Sequence, residues 1–76
     1  MAAERREDLS FVWDAVNTLP VKYREVIHLF YHEGYSAVQI AKILQKNEAT
    51  VRSHLHRGRI LLKELLKEAY DFDETV

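Results

Sequence analysis

Apolar residues recur along this chain at spacings of three and four, the period of an α-helix packed on one face. Leu9, Val12, Trp13 and Val16 predict a first amphipathic helix from Leu9 to about Thr18. Pro20 suits the first turn of a second helix, where its missing N–H has no partner to lose. Val26, Ile27 and Phe30 supply that helix's apolar stripe, flanked by Tyr23 and Tyr31. Gly34 stands where a left-handed C-terminal cap is wanted. Propensity alone would allow a strand from Val26 to Tyr31, but nothing else in the chain offers it a partner strand.

Ser36-Ala37-Val38-Gln39 matches a capping box, in which the Ser hydroxyl and the Gln side chain satisfy each other's free backbone N–H groups. It opens a short third helix that turns Ile40, Ala41 and Leu44 inward and ends near Leu44 or Gln45. Asn47 is placed to cap a fourth helix, from about Glu48 to Lys67 or beyond. Its inward stripe is Val51, Leu55, Gly58, Leu62 and Leu65. Gly58 costs about 1 kcal/mol against Ala in a helix interior, which reflects either a close approach by another helix or a tolerated defect.

Composition narrows the class. Two Gly and one Pro among 76 residues, far below the usual share of roughly 12%, disfavour a β-sandwich or a Gly-rich phosphate loop. Cysteine is absent, so disulfides, thiol nucleophiles and cysteine-ligated zinc are out. No apolar run approaches the ~18 residues of a membrane span, and Met1 to Asp8 lacks a signal peptide's apolar stretch. The expected fold is all-α: a compact four-helix domain containing a helix-turn-helix. Residues 9–67 are its expected extent; residues 1–8 are expected to be disordered or vector-derived, and residues 68–76 an acidic tail.

The formal charge of −1 argues against a nucleic-acid partner until its distribution is considered. From Ala49 to Lys63 the charges are Arg52, Arg57, Arg59 and Lys63, with no acid; Glu68, Asp71, Asp73 and Glu74 follow. A basic helix can serve as a footprint for phosphates even beside an acidic tail. The stretch Ser36–Leu44, Gln45-Lys46-Asn47, then Glu48 onward has the dimensions of a helix-turn-helix, whose second helix enters the DNA major groove. At 100° per residue, Ser53 and Arg57 lie opposite the inward stripe, flanked by Arg52 and His56 on one side and Thr50 and His54 on the other.

Leu19-Pro20-Val21-Lys22-Tyr23-Arg24-Glu25-Val26-Ile27, then Gly34-Tyr35-Ser36, Ile40-Ala41 and Thr50-Val51-Arg52-Ser53-His54-Leu55-His56-Arg57-Gly58-Arg59 resemble the fourth conserved region of bacterial sigma factors. The likeness is greatest to the extracytoplasmic-function group and covers roughly residues 11 to 67. The resemblance implies a domain of an alternative sigma factor that binds the −35 promoter element through its last long helix. It implies Arg52 and His56 at base-reading positions. Ser36, Thr50, Ser53, His54, Arg57 and Arg59 fall at positions that grip phosphates or flank bases, while Val51 is core. It further implies docking on the flap of the RNA polymerase β subunit, and masking by an anti-sigma factor in many members. A bacterial, cytoplasmic, nucleoid-associated protein follows from the same likeness.

The sequence departs from the family at four places. Gln45 stands where the turn commonly has Gly, and Lys46 where an apolar residue is expected. His54 replaces a frequent Arg, and Glu48 puts an acid beside the reading face.

Other classes find less support. A stand-alone helix-turn-helix regulator would lack the Leu19–Val26 signature. A protein-interaction module without DNA binding would share the fold and differ in salt-dependent duplex binding. His28 and His32 have a spacing that can hold a metal, but they lack further ligands and fit no zinc-enzyme motif. They read as surface histidines, and no metal or cofactor is expected. Trp13 and the neighbouring aromatics read as core. No catalytic set emerges, so no enzyme is expected. Ile60, Leu61, Leu62, Leu65 and Leu66 are apolar around more of the helix than one core face needs. Leu61 and Leu66, furthest from the stripe's centre, are the candidate protein-binding surface, which a second copy would cover at high concentration.

Overall fold

The computed structural model of the protein describes residues 10–70. The expectations for residues 1–8, for Leu9 and for the tail beyond residue 70 lie outside the described residues. Four helical segments follow one another, and no strand occurs among the described residues.

Helix α1 spans residues 10–16 and turns off at 17–19, two residues before the expected end. The hydrogen bonds tighten there from Asn17 N–H→Trp13 O to Thr18 N–H→Ala15 O and Leu19 N–H→Val16 O. The Thr18 hydroxyl donates to the same Ala15 carbonyl at 2.7 Å. This compact turn buries Val16 and Leu19 together. Arg24 closes it from the next helix, donating from Nη1 to Asn17 O at 3.0 Å.

Helix α2 spans Val21–Ile27 and continues as a π-helical turn over His28–His32. Pro20 caps it from just outside the first turn, with ψ of 148°. Its carbonyl accepts from Tyr23 N–H and Arg24 N–H. Widening to a five-residue bond, Glu33 N–H→His28 O, brings Leu29 and Phe30 onto the core edge and leaves Tyr31 exposed. Gly34 then takes a φ of +83°, the left-handed cap its position predicted.

Helix α3 spans Ala37–Leu44. Its capping box is complete: Gln39 N–H donates to Ser36 Oγ at 3.1 Å and Ser36 N–H to Gln39 Oε1 at 2.9 Å. It ends in a Schellman motif, with Lys46 N–H→Ala41 O at 2.8 Å and Gln45 N–H→Lys42 O at 3.3 Å. Gln45 adopts the left-handed conformation itself, at φ 57° and ψ 50°. Helix α4, Glu48–Tyr70, begins when the Asn47 carbonyl accepts from Val51 N–H.

The core is a single cluster in which Val16, Leu19, Val26, Ile27, Ala37, Ile40, Ala41, Val51 and Leu55 are buried. Gly58 is at the crossing of α2 and α4. A Cβ there would lie 2.8 Å from Ile27 Cδ1 and 3.2 Å from Tyr23 Cβ, so the glycine lets the two helices approach.

Candidate nucleic-acid interface

Val51 and Leu55 enter the core and thereby fix the rotation of α4. At 100° per residue that rotation turns Arg52, Ser53, His56, Arg57 and Arg59 outward, and all five are exposed. Thr50 is half-buried at the edge of this face. Ser36 is exposed at the start of α3, and its hydroxyl keeps a proton to donate while Oγ serves the cap. The structure thus brings seven of the eight expected DNA-facing side chains to the exposed surface or its margin.

His54 stands apart. It is half-buried and faces α2, its ring edge-on to Tyr23 with centroids 5.6 Å apart. Nδ1 is buried without a hydrogen-bond partner among the described residues. Desolvation holds its pKa below the ordinary histidine value, helped by the positive charges of Lys46 and Lys22 and opposed by Glu25.

Two arginines of the outer face have fixed partners. Arg52 Nε–H donates to Glu48 Oε2 at 2.9 Å, and Arg52 Nη2–H donates to the same oxygen. Arg59 Nη1–H donates to the Tyr31 hydroxyl at 2.9 Å, tying α4 to the π-helical turn. The turn that aims α4 is itself anchored, since Lys46 Nζ lies 3.2 Å from Glu25 Oε2 on α2. The residue that departs from the apolar expectation therefore holds the turn by an ion pair. Of these contacts only Glu48–Arg52 had a local signal, the i, i+4 spacing of opposite charges. The Glu25–Lys46, Tyr31–Arg59 and Tyr23–His54 partners are 21 to 31 residues apart, and only packing brings them together.

The remaining candidates fall elsewhere. Trp13 packs against the core and stacks on His28, with ring centroids 5.0 Å apart, while His32 tilts against it at 5.3 Å. His28 Nε2 also lies 3.0 Å from Asn17 Oδ1. No group of three or more metal-ligating side chains occurs among the described residues. Leu61 is half-buried against the core and lines a cleft of about 500 Å³ with Thr18, Leu19, Pro20 and Leu65. Leu66 is half-buried and Ile60 is 41% exposed. A second cleft, about 310 Å³ and almost wholly apolar, lies between Val12, Trp13 and Val16 of α1, Ile27 of α2 and Leu62 of α4, with Arg59 at its wall. No described helix is long and apolar enough to cross a membrane.

Comparison with known proteins gives a consistent picture. Residues 12–62 match the family described as sigma-70, region 4. The chain is 42% identical over 50 residues to the ECF RNA polymerase sigma factor SigW of Bacillus subtilis, covering 66% of this chain and 27% of that protein. It is 33% identical over 76 residues to the ECF RNA polymerase sigma factor SigX of the same organism, covering 96% of this chain and 39% of that one. To the probable RNA polymerase sigma factor RfaY of Xanthomonas campestris it is 33% identical over 58 residues, covering 76% and 14%. The chain therefore spans well under half the length of these relatives. No solved structure gives a significant match.

Proposed function

The chain belongs to the sigma-70 region 4 family, and from that premise we propose that it binds promoter DNA at the −35 element as a domain of an extracytoplasmic-function sigma factor in a bacterial cytoplasm. The observation that carries this reading is the basic, solvent-facing N-terminal half of α4, aimed by a helix-turn-helix turn that Lys46 and Glu25 hold in place. A helix presented this way enters the major groove with its first turns against base edges.

In this reading Arg52 and His56 contact base edges. An arginine can donate both bonds of a guanidinium fork to O6 and N7 of a guanine. Thr50, Ser53, Arg57 and Arg59 grip or flank phosphates, and Ser36 meets the backbone at the start of α3. His54 lies at the margin and reaches a phosphate only by swinging away from Tyr23. The polymerase β flap, and an anti-sigma factor where one exists, would take the apolar surface around α1 and the second half of α4. No step of this function requires catalysis, a metal or a cofactor.

The test is duplex binding by the 76-residue chain, followed by fluorescence anisotropy against salt. Arg52→Ala should cost about 1–3 kcal/mol on a preferred duplex and relax preference at one position. Arg57→Ala or Arg59→Ala should weaken all duplexes alike and lower the salt slope by about one unit. Absence of salt-dependent duplex binding would favour a protein-interaction module instead.

A further inference from the structure

Glu48 is the one acid on the face of α4 that the proposed function assigns to DNA. An acid there costs affinity for a polyanion, so its presence calls for a physical account. An exposed i, i+4 ion pair ordinarily adds little to a helix. What distinguishes this pair is its place and its geometry. It joins the first residue of α4 to Arg52, the first basic side chain of the reading face.

The guanidinium has two donor edges. The side edge, formed by Nε–H and one Nη2–H, is spent on Glu48 Oε2. The end edge, formed by Nη1–H and the second Nη2–H, is left with two parallel donors directed away from Glu48. That end fork is the part that matches O6 and N7 of guanine. Both side chains are substantially exposed, Arg52 at 64% and Glu48 at 43%, so the fork is accessible.

We propose that Glu48 is a specificity-determining residue of the DNA-reading surface: it holds Arg52 with its end fork toward the base edges and penalises arrangements in which Arg52 grips a phosphate through its side edge. The second effect is electrostatic. Arg52 cannot reach a phosphate by its side edge without carrying the Glu48 carboxylate toward the same anion or giving up the pair. Both routes cost free energy on every duplex, whereas base reading through the end fork keeps the pair intact. Specificity gained by disfavouring wrong complexes in this way lowers overall affinity while raising the ratio between right and wrong. This inference rests on the proposed DNA-reading function.

The experiment uses the full 76-residue chain, a duplex library randomised over the central positions, and low salt to raise affinity. Selected and scrambled duplexes are then titrated with the wild type, Glu48→Gln, Arg52→Ala and the double variant. Circular dichroism confirms that helical content is retained, as expected for two exposed side chains. Glu48→Gln should tighten binding to scrambled duplex by about threefold or more and tighten selected duplex less. The selected-to-scrambled ratio should therefore fall, by the quotient of the two gains, and the preference for guanine at one position should weaken. With Arg52 already replaced, Glu48→Gln should leave the ratio unchanged. Equal tightening on both duplexes overturns the inference, since Glu48 would then be only a repelling charge. A ratio that falls just as far without Arg52 also overturns it, because Glu48 would be reading alone. If the wild type shows no preference among duplexes, the DNA-reading function itself fails, a result distinct from a preference that survives Glu48→Gln intact.

Discussion

His54 and Gly58 are two positions of α4 that packing against α2 decides. Burial and the nearby Lys46 and Lys22, opposed by Glu25, favour the neutral imidazole of His54 against Tyr23. Its folded pKa is depressed, so the unfolded chain binds the extra proton. The resulting stability is complete above the ordinary value of 6.5 and declines as pH falls through and below it. Denaturation midpoints over roughly pH 5 to 7 should fall less steeply for His54→Gln than for the wild type, the difference isolating His54 from the other histidines. Gly58 is decided by sterics. An added Cβ meets Tyr23 Cβ at 3.2 Å, and that atom is fixed to the α2 backbone. Overpacking costs about 1–3 kcal/mol and outweighs the ~1 kcal/mol of helix propensity that alanine brings. Gly58→Ala should therefore destabilise by about 1 kcal/mol, seen as a lowered thermal midpoint; a raised midpoint would mean α2 gives way freely.

Among the elements, the turn between α3 and α4 has the most consequence for the proposed function, because it sets the angle at which α4 would meet DNA. Its left-handed residue is Gln45, where a side chain costs about 1–2 kcal/mol that glycine avoids. Against this stands the greater freedom glycine adds to the unfolded chain, about 0.4–1 kcal/mol. Gln45→Gly should raise stability by roughly 0.5–1 kcal/mol and the thermal midpoint by a few degrees, with the Schellman bonds retained. The ion pair of Lys46 with Glu25 replaces the apolar contact that usually closes such a motif. The helix-turn-helix is thus secured by a mixture of backbone bonds and one partly buried salt bridge. At the other end of α3, the capping box was legible from Ser36 and Gln39 because both partners are three residues apart. The π-helical turn at His28–His32 was not, since its hydrogen bonds require one residue more per turn than the apolar spacing reveals.

For the molecule as a whole, the formal charge of −1 limits what the basic face can do unaided. The chain alone should bind duplex in the non-specific range of about 10⁻⁴–10⁻⁶ M at physiological salt. A polymerase-borne contact would raise its effective concentration at a promoter. Deleting Asp71 to Val76 should tighten binding modestly, and a nanomolar constant for the bare chain would contradict the expectation. The apolar second half of α4 divides into two kinds of residue. Leu61 packs against the core, so Leu61→Asp should lower the thermal midpoint by burying a charge. Leu66 is half-buried and outside that cluster, so Leu66→Asp should weaken binding to the polymerase flap with helical content retained. Unfolding by both substitutions would show that these leucines are core and that the proposed surface is not there.

Local signals in the sequence determined the all-α class, the helix order, the capping box, the left-handed Gly34 and the outward face of α4. Each depends on residues within about one turn of one another, or on a periodic stripe that any helix repeats. They also carried the family likeness and the identity of the basic residues on that outward face. Apart from Arg52, held by Glu48 one turn away, tertiary structure alone decided which side chains of the motif are constrained. His54 left the outer face because Tyr23, 31 residues earlier, offers its ring an edge-on contact. Arg59 is held by Tyr31, and Lys46 by Glu25, through partners that no helical period connects. Leu61 packs against the edge of the core because the turn at Leu19 and Pro20 folds back beside it. The physical reason is common to all four: the helix period fixes the direction of a side chain on its own helix, but which atoms wait there depends on how separate helices pack.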